Sequence, residues 1–456
     1  MRTAMLWDEL SDNCVHCRLC AHRCVISDGK RGLCQMRENR GGTLYTLVSE
    51  QGIIQHVDPV EKKPLYHFYP GSTAYSIATS GCNFRCRWCQ NWDISQVVSK
   101  KHLQVSESLS PTRAVVAARR AGCRSIAYTY TEPTVFFEYA YETARLAHET
   151  GLANIFVTNG YMTADALGAI EPYLDAANVD LKAFRDETYR KYVGGRLQPV
   201  LDTLKQMASL GIWLEVTTLV VPGINDDVTE LRDAATFIAD ELGVDTPWHI
   251  SRFSPAHRMT HVAPTPLATL AKARKIGLQA GLRYVYVGNL PGEENTYCHR
   301  CGRPLIRRDA YRVIQNDLQA RGSCPDCGQP VAGLWTGAEE VSARVNHLRI
   351  AVPTAVGNTS SHSGYRREWV MFDLDQQTKQ IIHKSMFLAP PSTSSALPQR
   401  LHELDTNVVL TAGLGQRTEQ WLAQLGIEVV SGVPPESPEQ LVSHYLDGNV
   451  PVSSRE

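Results

Sequence analysis

The chain has no surplus of charge. Its 46 Lys and Arg residues face 47 Asp and Glu, for a formal net charge of -1. Attraction to nucleic acid or to an anionic bilayer rests on a basic surplus, so neither is an expected partner. Long apolar runs are also missing. None approaches the roughly 18 residues that a membrane-spanning helix needs. The opening stretch "MRTAMLWDELSDN" has acidic residues and no apolar h-region. That argues against a secretory signal and for a cytoplasmic protein. What remains is an ordinary globular composition, 43% hydrophobic and 20% charged. The 456 residues are enough for about three domains.

Cysteine is what the chain has in plenty, with 13 in all. Twelve fall into three groups: Cys14, Cys17, Cys20, Cys24 and Cys34; Cys82, Cys86 and Cys89; Cys298, Cys301, Cys324 and Cys327. Disulfide scaffolds belong to short secreted chains, whereas this one can bury large cores without staples. Closely spaced cysteines suit a shared metal or cluster better. Cys123, alone in "RRAGCRSIAY", reads as a small buried hydrophobe.

From residue 70 to 290, strand and helix patterns alternate. The strand candidates are "AYSIAT", "SIAYTY", "NIFVTN", "ANVDLKA", "WLEVTTLVV", "WHISRF" and "RYVYVG". Helix-like stretches such as "SPTRAVVAARRAG", "LQPVLDTLKQMASLG" and "TPLATLAKARKIGLQAGL" separate them. The first opens on Ser-Pro and closes on Gly122, both boundary signals. Such alternation predicts an α/β fold with a parallel sheet, as a partial or complete barrel. The loops after the strands then share one rim, where active sites form. Those loops carry the three-cysteine run, Thr131-Glu132-Pro133, Thr158-Asn159-Gly160, Asp180 and Lys182, Pro222-Gly223, and His249, Ser251 and Arg252. Any one of these has a bland account, Glu132 as a helix cap or Asp180 and Lys182 as a surface pair. The set together argues for a cavity. The expected domains are an N-terminal cysteine-rich segment (1–69), the barrel (70–290), a zinc ribbon (291–340) and a C-terminal α/β domain (341–456).

The middle group, C-x3-C-x2-C in "SGCNFRCRWCQNW", raises the question of why there are three cysteines. A cubane iron–sulfur cluster takes four ligands, so three leave one iron open. The spacing, with aromatic Trp88 before the last cysteine, resembles the radical S-adenosylmethionine superfamily. That resemblance implies a [4Fe–4S] cluster on Cys82, Cys86 and Cys89 whose open iron chelates S-adenosylmethionine. It also implies reductive cleavage to a 5′-deoxyadenosyl radical that abstracts hydrogen, the difficult chemistry lying with the cofactors. "GCNFRCRWCQNWDIS", "YTYTEPTVF", "VTNGY" and "VDLKAF" are similar to the branch near pyruvate formate-lyase activating enzymes. Together with "HRCVISDGKRGLCQMRENRGGTLYTLV" and "VDPVEKKPLYHFYPGS" they most resemble the radical enzyme of the AmmeMemoRadiSam system. The likeness runs over about residues 10 to 290. It implies that Trp88 approaches the adenine and Glu132 receives the methionine ammonium. It further implies that Asn159, Asp180 and Lys182 contact the ribose or the methionine carboxylate. Tyr130-Thr131 stands where the family has a glycine pair.

The other two groups read differently. Cys14, Cys17, Cys20 and Cys24 run C-x2-C-x2-C-x3-C like a ferredoxin segment, but Val25 follows where proline is usual and no second run appears. Structural zinc, an auxiliary cluster and unligated thiols all stay open, with Cys17, Cys20, Cys24 and Cys34 the candidate ligands and His22 within reach. "CHRC" and "CPDC", 22 residues apart and each followed by a glycine, read as a zinc ribbon on Cys298, Cys301, Cys324 and Cys327. Rubredoxin-type iron is the alternative.

Residues 347 to 456 resemble the dinitrogenase iron–molybdenum cofactor biosynthesis domain through "LRIAVPTAVGNTSSHSGYRREWVMFDLD" and "AGLGQRTEQWLAQLGIEVVSGV". This implies a small ribonuclease-H-like α/β fold that binds or carries iron–sulfur precursors. Ser363 replaces the phenylalanine usual after the motif histidine, His362, and the domain has no cysteine. A cluster carrier and a degenerate interaction module are both consistent with that. The expected activity is that of a radical S-adenosylmethionine enzyme, glycyl-radical-activase-like. It would be served by an electron donor such as flavodoxin or ferredoxin and act on a protein or small-molecule substrate. The alternative is a non-catalytic iron–sulfur carrier or assembly factor.

Overall fold

The computed structural model describes residues 2–49, 52–96, 109–290, 294–319, 322–335, 347–354, 368–375, 380–389, 396–404, 406–425 and 427–450. His362 and Ser363 lie outside them. The chain forms two compact units, Met1–Thr336 and Gly337–Glu456. Among the described residues no helix is long and apolar enough to cross a membrane.

An eight-stranded sheet organises the first unit, with its strands in chain order from Ile54–Pro59 to Val285–Gly288. The first pairing is antiparallel and the rest are parallel. Among the described residues the two edge strands do not pair with each other. The sheet is thus an open, partial barrel. Ile54–Pro59, which the sequence groups with the N-terminal cysteines, is one of its strands. Helix Pro111–Arg120 begins as its sequence indicates: the Ser110 hydroxyl accepts from Arg113 N and proline holds the first position. Gly122, at φ +65°, turns the chain out of it.

Parallel strands are buried on both faces. On the outer face Ile126, Tyr128, Phe156 and Val179 pack against helix residues such as Ala140, Ala144 and Leu167. The inner face carries Ala74, Ala127, Ala153 and Ala176, small residues that leave room. Val60, Leu65 and Phe68 fill that room. The filling segment is held by polar anchors. Glu215, fully buried, accepts the N–H groups of Tyr66 (3.0 Å) and His67 (2.8 Å). Its Oε2 also lies 2.6 Å from His249 Nε2. Burial alone would raise the Glu215 carboxyl, but these donors and His249 outweigh it and hold it below its ordinary value.

This corrects one sequence expectation. His249 does not belong to the rim. It is the second residue of strand Trp248–Arg252, beside Thr217 and Tyr286. Each strand residue rises about 3.3 Å, so His249 sits well below the loop ends and faces Glu215.

A three-stranded antiparallel sheet, Thr296–Tyr297, Pro304–Asp309 and Arg312–Asn316, carries the last cysteine group. Leu305, Ile306 and Val331 seat it against Tyr66, Tyr284 and Tyr286. Burial brings the His67 imidazole down to about 4, so it is neutral. Its Nδ1 donates to Ala332 O (2.7 Å), which leaves Nε2 to accept from the Tyr286 hydroxyl (2.7 Å). Buried Arg308 donates to Tyr66 O (2.7 Å) and faces Glu61 at 3.6 Å. At the other end of the unit, two small antiparallel sheets hold the N-terminal cysteines. They join the main core through Val15, Leu19, Ile26 and Met36.

The second unit is a five-stranded sheet in the order Gln380–Leu388, Glu368–Asp375, His347–Pro353, Val408–Thr411, Glu428–Ser431. The first two pairings are antiparallel and the last two parallel. Both faces are covered: Ile350, Phe372 and Leu410 lie in one core, Ala351, Met371 and Val409 in the other.

Glu215 generates a stability prediction. Glu215→Ala leaves two buried N–H groups and His249 without their partner, a loss of about 3–5 kcal/mol for breaking a buried pair. Chemical denaturation of the full chain should show it as an early transition, with the ribbon lost in the same step because His67 anchors both.

Candidate functional site

The three-cysteine loop follows strand Thr73–Ala78 at the sheet's carboxyl rim. Gly81 takes φ +100°, and a Cβ there would lie 2.4 Å from Met36 Cγ, so the loop is pressed onto the N-terminal segment. Gly81 N donates to Ile94 O, Arg85 N to Val193 O and Arg87 N to Tyr192 O. The Arg85 guanidinium reaches Cys82 O (2.8 Å) and Leu33 O (2.6 Å). The loop is therefore fixed along its length.

Two of its thiols have donors beside them. Cys82 Sγ receives Phe84 N (3.4 Å) and Asn159 Nδ2 (3.7 Å), and Cys89 Sγ lies 3.3 Å from Ser95 Oγ. Asn159 Nδ2 also donates to Asn83 Oδ1 (2.7 Å), and Asn83 Nδ2 is a buried donor with no protein partner. Burial raises the Cys82 thiol well above its ordinary value and the Cys86 thiol to about 12. Donors alone do not ionise these thiols at neutral pH; the positive charge of a bound metal centre would.

Glu132 is placed differently from what the resemblance implies. It is 0% exposed. Its Oε1 accepts from Thr134 N (3.0 Å), Thr134 Oγ1 (2.6 Å) and Thr158 Oγ1 (2.7 Å), and its Oε2 from Asn159 N (2.9 Å). Through these bonds it joins two rim loops. Burial raises its carboxyl against these donors. Tyr130 takes φ +65°. Its hydroxyl is fixed by Asp58 (2.6 Å) and its carbonyl by Asn91 Nδ2 (2.8 Å). Neighbours thus hold a backbone conformation that a tyrosine seldom adopts.

Asp180 and Lys182 form a pair at 2.7 Å. Burial alone would lower the Lys182 ammonium, but Asp180 and the thiols of Cys86 and Cys89 raise it above its ordinary value. Trp88 is buried, its ring 6.4 Å from that of Tyr192. Asn159, Asp180 and Lys182 thus gather around the three-cysteine loop, whereas Trp88 lies in its wall.

The four ribbon cysteines have their ligand atoms within 4.8 Å of one another. Two of the Sγ pairs, Cys298–Cys327 and Cys301–Cys324, stand 3.6 Å apart. Bonds of about 2.3 Å at the tetrahedral angle would put sulfurs roughly 3.8 Å apart, so one four-coordinate ion fits. Gly302 and Gly328, at φ +76° and +68°, let each knuckle turn back, and their N–H groups donate to Cys298 O and Cys324 O. Against the raising effect of burial, the N–H groups of Cys327 and Asp326 bring the Cys324 thiol down to about 7. Among the described residues, neither of the other two cysteine groups draws together in this way. Cys17, Cys20, Cys24 and Cys34 line one cavity, and Cys14 is not part of it.

The sequence profile of the radical SAM superfamily matches residues 76–235, which span the three-cysteine loop and the strands around it. The chain belongs to the radical SAM superfamily. An uncharacterised protein of Methanocaldococcus jannaschii is 44% identical over 335 residues, 73% of this chain and 99% of that one. A second protein of that archaeon, provisionally named a glycyl-radical enzyme activating enzyme, is 23% identical over 46% of this chain and 78% of its own. The pyruvate formate-lyase-activating enzyme of Clostridium pasteurianum is 22% identical over 37% of this chain and 72% of its own. The solved structure of Streptococcus suis SuiB bound to S-adenosylmethionine has a TM-score of 0.39 at 12% identity, covering 51% of this chain and 54% of that chain, too slight a likeness to carry an argument.

Within this radical SAM site the sequence reading missed Asn83, Ser95 and Thr134, and it named Thr158 only as a rim residue. Asn83 and Ser95 flank the cysteines, but which neighbours turn toward a thiol depends on the loop's path. Thr158 and Thr134 act only because Glu132 lies between their loops.

The clamp makes a prediction that separates it from a ligand contact. Glu132→Gln puts an NH2 group where donors already converge. It should lower stability by about 1–3 kcal/mol, the range for a buried hydrogen-bonding group left unmatched. Iron content should equal the parent's. A selective loss of S-adenosylmethionine affinity in calorimetry, with an unchanged melting curve, would instead make Glu132 a direct contact.

Proposed function

We propose that the chain is a radical SAM enzyme that cleaves S-adenosylmethionine reductively and is related in activity to the glycyl-radical activating enzymes. The observation that carries this is the fixed rim loop, with three closely spaced thiols, donors on two of them and the unpartnered Asn83 amide alongside. Cys82, Cys86 and Cys89 would hold the cluster, and three ligands leave one iron open. When bound, the reduced [4Fe–4S] cluster supplies the electron that splits S-adenosylmethionine into methionine and a 5′-deoxyadenosyl radical for hydrogen abstraction.

The chain's own residues do the holding and shielding. Asn159 and Phe84 N fix Cys82, and Ser95 fixes Cys89. Asn83 Nδ2 is a free donor for a cluster sulfide or a carboxylate. Lys182, held beside Asp180, brings positive charge near Cys86 and suits the methionine carboxylate. Glu132 keeps the two rim loops in register. The activase reading, with a protein substrate and a flavodoxin- or ferredoxin-like donor, rests on the names of the relatives. The ribbon cysteines are read as a structural zinc site, since four thiols close the coordination sphere and leave no open position. The second unit is read as the cofactor-biosynthesis-like domain, supported by its mixed sheet with a core on each face.

Two measurements test this. Reduced, reconstituted protein incubated with S-adenosylmethionine should release 5′-deoxyadenosine, and Cys86→Ala should abolish the release while the chain still folds. A protein that binds iron and sulfide yet yields no 5′-deoxyadenosine would be a cluster carrier instead. For the ribbon, anaerobically purified protein should hold about one zinc per chain, bound tightly because metal affinity is folding free energy. Cys301→Ala should remove that zinc and expose residues 296 to 316 to proteolysis; unchanged zinc would refute the ribbon assignment.

A further inference from the structure

We propose that Cys17, Cys20, Cys24 and Cys34 hold a second [4Fe–4S] cluster. The four thiols line one cavity of about 350 Å³, its open mouth included. No carboxylate lines it, and Leu19, Ile26 and Val135 supply apolar wall. Four cysteines are the ligand set of a complete cubane.

Spacing separates this site from a zinc site. One tetrahedral ion draws four sulfurs to roughly 3.8 Å from one another. Cys298, Cys301, Cys324 and Cys327 of this same chain gather at about that spacing, all within 4.8 Å. The N-terminal four surround an open space and do not form such a group. A cubane places irons and sulfides between its thiolates and so needs a wider ring.

Arg37 is the independent observation. It is 1% exposed and lines the same cavity. Its Nη1 lies 3.7 Å from Cys17 Sγ, its Nη2 is paired with Glu138, and its Nε is buried with no partner. Four thiolates around a cubane carry net negative charge, and cluster sulfides accept hydrogen bonds. Arg37 Nη1 also donates to Met5 O (2.8 Å) and its charge is paired with Glu138, but the spare Nε donor suits a cluster sulfide, whereas a ring of neutral thiols leaves that donor unmatched. The cavity is lined by the same four thiols that the sequence offers as candidate ligands. Cys14 has the spacing, but its N–H donates to Ser11 O in a turn away from the cavity, while Cys34, ten residues beyond Cys24, completes the ring. The cavity adjoins the first site: His22, on its wall, donates from Nε2 to Asn83 O (2.7 Å).

The test uses the full chain with Cys82, Cys86 and Cys89 all replaced by alanine, reconstituted anaerobically with iron and sulfide. It should retain about four irons and four sulfides per chain, half of the parent's, with the absorption of a cubane. Adding Cys20→Ser and Cys34→Ser should remove the remaining iron. A triple variant free of iron, whether or not it gains a zinc beyond the ribbon's, overturns the proposal. If the triple variant does not fold, the parent decides: about eight irons support the second cluster and about four overturn it. Iron that is equal in parent and triple variant would support this site while refuting the one on the rim loop.

Discussion

Glu215 accepts two backbone N–H groups from the segment that fills the barrel's inner face, and it bonds His249 across the neighbouring strand. Most of the first unit hangs on that arrangement. The inner face is lined with alanines, which cannot fill a barrel by themselves. Leu65 and Phe68 must enter, and a backbone buried there must find hydrogen-bond partners. The same segment turns His67 outward to the ribbon, so one buried carboxylate serves the sheet, its filling and the docked cysteine module. A buried charge of this kind is costly to break and of modest net worth when intact, which suits a role in fixing geometry.

The rim inherits its rigidity from below and from the side. The sheet sets where the cysteine loop begins, and Gly81 lets it lie against Met36. Arg85 ties it to the N-terminal segment. Glu132 then locks the loops after two adjacent strands through threonine hydroxyls and an amide. Positioning of this precision is what a site on loops otherwise lacks. The left-handed Tyr130 fits the same account: its hydroxyl bond to Asp58 offsets the strain of a backbone conformation that glycine adopts at less cost.

Twelve cysteines in three groups differ in how closely they gather. The ribbon thiols converge because two knuckles, each turned by a glycine, face one another across a small sheet. The rim thiols are spread along one loop. The N-terminal thiols come from a strand end and the loops beside it, around a cavity with a buried arginine on its wall. Spacing in the chain explains only the first two, since Cys34 joins the last group by way of an antiparallel hairpin.

Much of the first unit could be read from its residues. Strand runs and helix signals marked the alternation, because period and capping are local properties. The three-cysteine spacing marked the superfamily, because one short loop carries it. The paired cysteines that form the four-thiol group were legible for the same reason. Other features needed the tertiary structure. Openness of the barrel depends on whether distant edges meet. His249 left the rim because its depth is set by strand register, which its neighbours in sequence do not specify. Glu132 resembled a ligand contact, and only the packing of two loops around it made it a buried clamp. Arg37 and Glu138 are 101 residues apart, and nothing local to either announces the other. The sequence determined which chemistry each segment can hold, since ligand type and spacing are written along the chain. Burial, register and long-range pairing decided which groups stay free to use it.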